Sequence, residues 1–258
     1  MNTVVNKFDD VCEFLNKLDS AVIAFSGGFD STYLAEACML SLKRTYAIFV
    51  DTPLISKRQR SEAERIADSI GIPLKIVKIK WENLLEVTEN DEQRCYFCKK
   101  IMYSAVKELA EELGINTWIC GDNYDDILQH RPGRKAASEL GILSPLETLK
   151  ITRSDVLEHV LSKEWSRNMI KDTCLATRIP TRTVLTQTLL KNIEDWEFLI
   201  RKMTGIRQVR FRYFDNSASI QTLQDDIISL EKYMPELNKI ASKKGLSLKI
   251  NPEGYKEI

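Results

Sequence analysis

The first half of the chain alternates short apolar runs with stretches of helical periodicity. The apolar runs predict buried strands, because they are short, rich in β-favouring residues and bounded by turn residues. The predicted strands are Ala21–Phe25, Tyr46–Val50, Leu74–Ile79 and Thr117–Cys120. The helices predicted between them, from apolar side chains at three- and four-residue spacing, are Thr32–Leu42, Lys57–Ile70 and Ile101–Leu113. This alternation predicts an α/β fold in which helices cover both faces of a parallel sheet.

The pattern changes after Pro180. The elements predicted there are a helix, a hairpin, a helical stretch that can break at Pro235 and a last strand: Thr186–Met203, Arg207–Phe214, Ala218–Thr222, 225–243 and Leu246–Ile250. We therefore predict a nucleotide-binding α/β domain over residues 1–180 and a smaller α+β domain over residues 181–258.

Composition narrows the class of protein. The 258 residues carry 37 Lys+Arg against 37 Asp+Glu, so a generally basic nucleic-acid-binding surface is not expected. No apolar window is long enough to span a membrane, and the N-terminus shows no secretory pattern. The six cysteines are therefore expected to be reduced thiols, metal ligands or catalytic sulfur in a cytoplasmic protein.

A string rich in glycine and serine separates the first predicted strand from the first predicted helix. It reads Ser26-Gly27-Gly28-Phe29-Asp30-Ser31. In parallel sheets, ligands bind beyond the carboxyl ends of the strands, where a helix N-terminus offers free amides to an anion. Adjacent glycines allow close approach of the backbone, and the serines add hydroxyl donors. The string is neither a Walker loop nor a dinucleotide loop, and the alternative interpretation is an ordinary turn before a helix.

The cysteines comprise one close pair and four isolated positions. Cys95 and Cys98 have C-x-x-C spacing among basic residues at a helix start, which favours thiolates that can bind one metal. The cysteines expected in the core are Cys12, Cys38 and Cys120. Cys174 lies in a polar stretch near the predicted domain boundary, and with the pair it could hold a [4Fe–4S] cluster that has one open iron. A redox disulfide of the pair, or a Cys174 that reacts alone, are the alternatives.

The glycine-serine string resembles the pyrophosphate loop (PP-loop) of the N-type ATP pyrophosphatases, and nearly the whole chain resembles the LarE family of ATP-dependent sulfur transferases. The further motifs are Gly121–Asp126, Arg131-Pro132-Gly133, Ser144–Leu146, Cys174–Arg178 and Val209–Arg212. The resemblance implies an adenine nucleotide alpha hydrolase-like fold that uses ATP and Mg²⁺. The residues implied in ATP binding are Ser26, Gly27, Gly28, Asp30, Ser31, Asp51 and Gly121. Asp30, which would help to hold Mg²⁺, and Cys174 are the implied catalytic residues.

The family matures the nickel-pincer nucleotide cofactor, and the implied reaction is adenylation of a pyridinium carboxylate mononucleotide followed by sulfur attack. In one version of the family a lone cysteine gives up its own sulfur, and in the other three cysteines hold a [4Fe–4S] cluster. With Cys95, Cys98 and Cys174, this chain looks like the cluster version. Arg210 and Arg212 would hold the phosphate of the substrate nucleotide, and self-association into a homo-oligomer is implied by the resemblance.

The chain departs from the family pattern in the predicted small domain. Where the family usually shows Ala-Arg-Ile-Glu, this chain has Ala218-Ser219-Ile220-Gln221, and the C-terminal stretch 251–256 also differs. These changes leave the identity of the substrate open.

Two other functions use the same motifs. A [4Fe–4S]-dependent tRNA thiolase shares the loop and the three cysteines, although the balanced charge argues against it. From a different class, a non-catalytic iron–sulfur protein could bind ATP without cleaving it. Release of pyrophosphate separates this binding protein from an enzyme.

Overall fold

The computed structural model describes residues 7–128, 132–169 and 172–255. Arg131 and residue 256, which belong to the motifs above, lie outside these ranges. Within them the predicted architecture is confirmed: a parallel sheet is flanked by helices, and a smaller mixed sheet follows.

The helices and strands alternate through the first part of the chain. The strands of the larger sheet are β1 (Ser20–Ala24), β2 (Arg44–Asp51), β3 (Leu74–Lys78) and β4 (Trp118–Cys120). The helices before β4 are α1 (Lys7–Leu15), α2 (Phe29–Ser41), α3 (Lys57–Ile70), α4 (Leu85–Thr88) and α5 (Arg94–Glu112). The helices after β4 are α6 (Asp125–Leu128), α7 (Pro132–Glu139), α8 (Pro145–Thr148) and α9 (Arg153–Leu161).

The later part of the chain forms the smaller sheet and its helices. These elements are α10 (Gln187–Thr204), β5 (Val209–Phe214), β6 (Ser217–Thr222), α11 (Ile227–Glu231), α12 (Met234–Ser242) and β7 (Ser247–Ile250). Short 3₁₀ helices lie at Trp81–Leu84, Glu164–Asn168, Leu175–Arg178 and Gln224–Asp226.

The larger sheet has the strand order β3-β2-β1-β4, and every neighbouring pair is parallel. Alternate residues of each strand face opposite layers of helices. On β1, Ile23 packs in the core formed with α1, α2 and α3, whereas Val22 packs in the core formed with α5. The carboxyl ends of β1 and β4 consequently lie side by side, which brings the loops after them together.

The smaller sheet has the order β5-β6-β7, with an antiparallel hairpin and a parallel third strand. The hairpin turn uses Asp215 with φ of +48°, as an aspartate in a tight turn can. Trp196 of α10 stacks on Phe211 of β5 with ring centroids 5.2 Å apart. This aromatic pair fixes α10 against one face of the sheet.

The predicted boundaries of helices agree best with the structure where capping residues mark the ends of the helix. The prediction Lys57–Ile70 is met residue for residue, because Ser56 and Gln59 form a capping box and Gly71 ends the helix at φ +81°. Apolar periodicity predicted the third helix only from Ile101, which is too late, but the placement of the C-x-x-C pair at a helix start is confirmed, since α5 begins at Arg94. Its first turns are polar and partly exposed, so they lack the apolar periodicity on which the prediction depended.

The described chain divides into two compact units. The first contains the chain to Val87 together with Glu92–Asp172, and the second contains Thr88–Asp91 and the chain from Thr173. The assignment of domains to residues 1–180 and 181–258 stays a prediction. No helix in the described ranges is both long and apolar enough to cross a membrane.

Candidate functional site

The string Ser26–Ser31 forms a tight loop between β1 and α2. The Gly28 amide donates a hydrogen bond to Ser26 Oγ at 3.3 Å, and the hydroxyls of Ser26 and Ser31 are 3.1 Å apart. The Ser31 hydroxyl also donates to the Gly28 carbonyl at 3.1 Å. The loop therefore holds its hydroxyls by its own hydrogen bonds and leads directly into the first turn of α2, where amide groups lack partners within the helix.

Two glycines allow the surrounding backbone to approach this loop. Gly27 has φ of +71°, and a Cβ atom there would lie 2.7 Å from the Cα of Ala63 on α3. A Cβ atom at Gly121, just after β4, would lie 2.9 Å from the amide nitrogen of Ser31. Both predicted ATP residues are thus glycines for a steric reason, because any side chain would push a neighbour away from the loop.

A cavity of about 250 Å³ opens at the carboxyl ends of β1, β2 and β4, within the first unit. Its polar residues are Ser26, Gly28, Asp30, Ser31, Lys99, Tyr103, Cys120, Gly121, Asp122 and Asp126. Its apolar residues are Ala24, Phe25, Ile48, Val50, Met102 and Val106. The cavity thus combines backbone amides and hydroxyls with apolar side chains, which are the two kinds of group that a nucleotide site requires.

Asp30 lies at the polar end of this cavity. Asn123 Nδ2 donates a hydrogen bond to Asp30 Oδ1 at 2.9 Å, and the Asn123 amide donates to Asp126 Oδ2 at 3.2 Å. Burial raises the pKa of Asp30, and the nearby Asp126 carboxylate adds to the increase. The hydrogen bond from Asn123 and the charge of Arg153 oppose it without reversing it. The loop thus concentrates negative charge that a cation would stabilise.

Lys99 supplies a positive charge to the same cavity, and the sequence analysis did not assign it to the site. Its ammonium donates a hydrogen bond to the Tyr103 hydroxyl at 2.7 Å and lies 3.9 Å from Asp122 Oδ1. Burial alone lowers the pKa of Lys99, but its neighbours Tyr103, Asp122 and Cys120 outweigh burial and raise it. Lys99 therefore remains an ammonium at neutral pH. The sequence analysis placed Lys99 among the basic residues around the C-x-x-C pair, and α5 carries its side chain to the cavity.

Asp51, which was predicted to bind ATP, is the last residue of β2 and is not among the residues that line the cavity. Its carboxylate accepts a hydrogen bond from Arg60 Nη1 at 2.8 Å. The residues of β2 that line the cavity are Ile48 and Val50. A role of Asp51 in binding ATP stays a prediction.

The C-x-x-C pair occupies the first turns of α5. Cys95 is exposed, and Arg94 Nη2 lies 3.6 Å from its sulfur. Cys98 is half-buried, and its thiol contacts the sulfur of Met102 at 3.7 Å. Because Met102 lines the cavity, the pair lies about one helical turn from it.

Cys174 lies immediately before a 3₁₀ turn of the second unit, and that turn is held by a buried arginine. The amide and the hydroxyl of Thr177 both donate to the Cys174 carbonyl, at 3.0 and 2.8 Å. Arg178 Nη1 donates to the carbonyls of Thr173 and Cys174, at 2.9 and 3.2 Å. The backbone that carries the half-buried Cys174 thiol is therefore fixed on several sides.

Arg210 and Arg212 are two residues apart on β5 and so lie on one face of the sheet. Arg212 Nη1 donates to the Thr177 carbonyl at 3.0 Å, which joins this arginine to the turn of Cys174. Arg210 is 7% exposed, and its guanidinium stacks on the ring of Tyr255 at 3.9 Å. Arg210 is therefore not part of a solvated charged surface.

All six cysteines are free thiols. Cys120, placed in the core by the sequence analysis, is buried but also lines the cavity, and its sulfur lies 3.3 Å from Ser144 Oγ. In the parts of the chain that the structure describes, no three His, Cys, Asp or Glu side chains form a group able to hold a metal ion. The three-cysteine [4Fe–4S] cluster stays a prediction.

The chain was compared with known proteins. No family model matches it. It is 26% identical over 228 residues to pyridinium-3,5-bisthiocarboxylic acid mononucleotide synthase of Lactiplantibacillus plantarum, which covers 86% of this chain and 81% of that protein. This similarity supports a LarE-like relationship.

Two further relatives are more similar. The uncharacterized protein slr1717 of Synechocystis is 33% identical over 225 residues, which is 86% of this chain and 83% of that protein. The uncharacterized protein MJ0830 of Methanocaldococcus jannaschii is 32% identical over 228 residues, which is 88% of this chain and 86% of that protein. Similarity of this extent over most of both chains shows that this protein belongs to the family of slr1717 and MJ0830.

Proposed function

We propose that this protein is an ATP-dependent sulfurtransferase that activates a carboxylate of a pyridinium-type mononucleotide and replaces one oxygen by sulfur. One observation carries the proposal: Thr177 joins the turn of Cys174 to Arg212 in a single hydrogen-bonded network. A thiol suited to sulfur transfer and an arginine suited to phosphate binding are thereby held by the same short segment. The similarity to a synthase of a bisthiocarboxylic acid mononucleotide supports the same chemistry.

The activating step belongs to the cavity of the first unit. A carboxylate oxygen of the substrate attacks the α-phosphorus of ATP, the bond to the β-phosphate breaks, and pyrophosphate leaves. Hydroxyls of Ser26 and Ser31, with the first amides of α2, are positioned to bind the departing pyrophosphate. The ammonium of Lys99 compensates negative charge in the same cavity. The apolar residues Ile48 and Val50 form a wall suited to adenine.

The charge at Asp30 fits a Mg²⁺ ion that accompanies ATP. Carboxylate oxygens are ligands that Mg²⁺ prefers, and the ion is usually held by one or two carboxylates and the phosphates. Asp30 and Asp126 both line the cavity, and the Asp126 carboxylate raises the cost of ionising Asp30, which a cation would lower. When bound, Mg²⁺ would neutralise the phosphates and orient them.

The second step replaces the adenylate by sulfur. A sulfur nucleophile attacks the carbonyl carbon of the acyl-adenylate, the bond to the AMP oxygen breaks, and a thiocarboxylate and AMP are formed. The residues that would hold a [4Fe–4S] cluster are Cys95, Cys98 and Cys174, and all three are free thiols with some exposure. A bound cluster would supply sulfide to the reaction. If Cys174 acts without it, its own sulfur is transferred and dehydroalanine remains.

The proposal is tested by anaerobic incubation with ATP, Mg²⁺, sulfide and a pyridinium carboxylate mononucleotide. We expect release of pyrophosphate that depends on the carboxylate, and a product whose mass shows one oxygen replaced by sulfur. Cys174→Ala should still release pyrophosphate but form no sulfur product, whereas Cys12→Ala, at an isolated cysteine, should behave as wild type. ATP that is bound but stays intact with every carboxylate would contradict the proposal and favour a nucleotide-binding protein.

Two further measurements on the same samples identify the sulfur source. Iron content and optical absorption of the anaerobic protein report a cluster, which Cys95→Ala and Cys98→Ala should each remove. The mass of the protein after turnover reports whether Cys174 has lost its sulfur. If wild-type protein without iron is active and its Cys174 becomes dehydroalanine, the proposed cluster is wrong. The proposed sulfurtransferase activity would still stand, with Cys174 as the sulfur donor.

A further inference from the structure

Arg153 is the first residue of α9 and lies against the loop that follows β4. Its amide donates a hydrogen bond to Asp125 Oδ2 at 2.7 Å, and the Tyr124 amide donates to the Ile151 carbonyl at 2.9 Å. A capping box also fixes the first turn of α9. The start of α9 and this loop are therefore held together at two points.

Hydrogen bonds within the same loop connect the start of α9 to Asp30. The Asp125 amide donates to Asn123 Oδ1 at 3.0 Å, and Asn123 Nδ2 donates to Asp30 Oδ1 at 2.9 Å. The positive charge of Arg153 lowers the pKa of Asp30, against the larger effect of burial. Because Coulomb interactions weaken with distance, this effect indicates that the guanidinium lies near the polar end of the cavity.

Arg153 is half-buried, and its guanidinium lacks the partners that buried donors usually have. Its Nε is closed to solvent and has no hydrogen-bond partner in the described ranges. All five N–H groups of a guanidinium are donors, yet neither a hydrogen bond nor an ion pair joins this side chain to the part of the chain that the structure describes. Few buried donors in native proteins stay unpaired, and each calls for an explanation such as a functional role. The side chain can therefore donate to a bound ligand.

A role of Arg153 as a counterion of Asp30 alone does not explain this arrangement. A guanidinium and a carboxylate gain most in direct contact, where they form charge-assisted hydrogen bonds. Asp30 Oδ1 accepts instead from the neutral Asn123, and the guanidinium acts on Asp30 at a distance. The apolar residues Ile48 and Val50 line the same cavity as Asp30. A ligand that extends from these apolar residues to the polar end would bring its outermost anionic groups near Arg153.

We infer that Arg153 is a further phosphate-binding residue, which donates to the two outer phosphates of ATP and remains bound to pyrophosphate after cleavage. The inference rests on the proposed function, because it takes ATP to be the ligand of this cavity. The planar guanidinium can donate two parallel hydrogen bonds to one phosphate, and such bonds are among the strongest in proteins. AMP has neither outer phosphate, so Arg153 should distinguish ATP and pyrophosphate from AMP.

Calorimetric titration of the full-length protein with ATP, inorganic pyrophosphate and AMP tests this role. Arg153→Met keeps the aliphatic stem and should weaken ATP and pyrophosphate at least about tenfold, while AMP affinity stays within about twofold. Arg153→Lys keeps the charge without the planar fork and should recover part of the loss. The matched control is Lys150→Met, which removes an exposed charge from the same segment and should bind all three ligands as wild type does. Thermal unfolding shows that each variant is folded.

Removal of Mg²⁺ separates a direct contact from an effect through Asp30. With EDTA in place of Mg²⁺, wild-type protein should still bind pyrophosphate at least about fivefold more tightly than Arg153→Met does. If the two proteins then bind pyrophosphate equally, or if neither binds it, Arg153 acts through Asp30 and the inference is wrong. An equal loss of affinity for ATP, pyrophosphate and AMP in Arg153→Met would also overturn it, because the substitution would then have disturbed the whole cavity.

The outcomes distinguish this inference from the proposed function. If Arg153→Met loses affinity for ATP and pyrophosphate as expected while no carboxylate triggers release of pyrophosphate, the phosphate contact stands and the proposed enzyme activity fails. If Arg153→Met binds both ligands as wild type does while wild type forms the sulfur product, the proposed function stands and the inference fails.

Discussion

Arg178 Nε donates a hydrogen bond to Glu197 Oε1 at 2.9 Å, and both side chains are only 1% exposed. The same carboxylate oxygen accepts from the Phe211 amide at 3.1 Å, while Arg178 Nη1 reaches the Cys174 carbonyl. One buried ion pair therefore ties the turn of Cys174 to α10 and to β5. The backbone of Cys174 is therefore held within its unit by contacts of the chain itself.

Removing one partner of this ion pair should destabilise the second unit severely. Arg178→Met leaves the Glu197 carboxylate buried with fewer donors, and breaking a buried pair in this way costs about 3–5 kcal/mol. Thermal or urea unfolding monitored by the fluorescence of Trp196, which packs in this unit, measures the loss. The matched control is Arg167→Met, because Arg167 is 76% exposed and pairs with an exposed glutamate. The control should stay within about 0.5 kcal/mol of wild type, and equal effects of the two variants would contradict the structural role of Arg178.

The sequence predicts the local features of the site better than its long-range contacts. The loop after β1 was predicted because its glycines, its serines and its place between a strand and a helix are all local signals. Gly121 was found only through the family resemblance, although its reason is the 2.9 Å approach to Ser31. Lys99 was missed because its place beside Asp122 in the cavity depends on a long-range contact that no local pattern predicts. The contact between Arg210 and Tyr255 joins positions 45 residues apart, and no spacing rule predicts such a pair.

The close approach of Gly121 to the loop makes it a sensitive position for ATP binding. Gly121→Ala would place a Cβ atom 2.9 Å from the backbone of Asp30 and Ser31, so the start of α2 must shift. We expect ATP affinity to fall at least about tenfold, measured by calorimetric titration. Gly114→Ala is the control, because its Cβ atom would meet nothing within 4 Å although its φ of +67° adds backbone strain. Gly114→Ala should lose stability and keep its ATP affinity, and a Gly121→Ala protein that binds ATP normally would refute the steric argument.

Lys99 should contribute to the activating step rather than to stability. Lys99→Met keeps the aliphatic stem and removes the ammonium that lies beside Asp122 and Tyr103 in the cavity. We expect kcat/KM for release of pyrophosphate to fall at least about tenfold, since charge on the phosphates is left uncompensated. Lys107→Met, two turns further along α5, removes an ammonium that lies 4.0 Å from Glu111 and outside the cavity lining. Lys107→Met should retain the wild-type rate. If both variants lose activity to a similar extent, the loss in Lys99→Met comes from disturbance of α5 and not from the missing charge in the cavity.

The pH dependence of the activating step should be governed by Asp30 and tuned by Asn123. Burial raises the pKa of Asp30, so its protonated fraction at a given acidic pH is larger than for an ordinary aspartate. The ionised form is the one that fits Mg²⁺, and kcat/KM for release of pyrophosphate should therefore fall as the pH drops through this raised pKa. The hydrogen bond from Asn123 Nδ2 stabilises the carboxylate and opposes the increase.

Asn123→Ala removes that hydrogen bond, so the pKa of Asp30 rises further and the acidic limb of the pH–rate profile moves to higher pH. A hydrogen bond to a charged group contributes about 1.5–3 kcal/mol, and one pH unit corresponds to about 1.4 kcal/mol. We therefore expect a displacement of about one unit, with rates approaching wild type on the alkaline side. Asn83→Ala, at an exposed position, should leave the profile in place. A profile of Asn123→Ala that is lowered equally at every pH would show that Asn123 shapes the loop without setting the ionisation of Asp30.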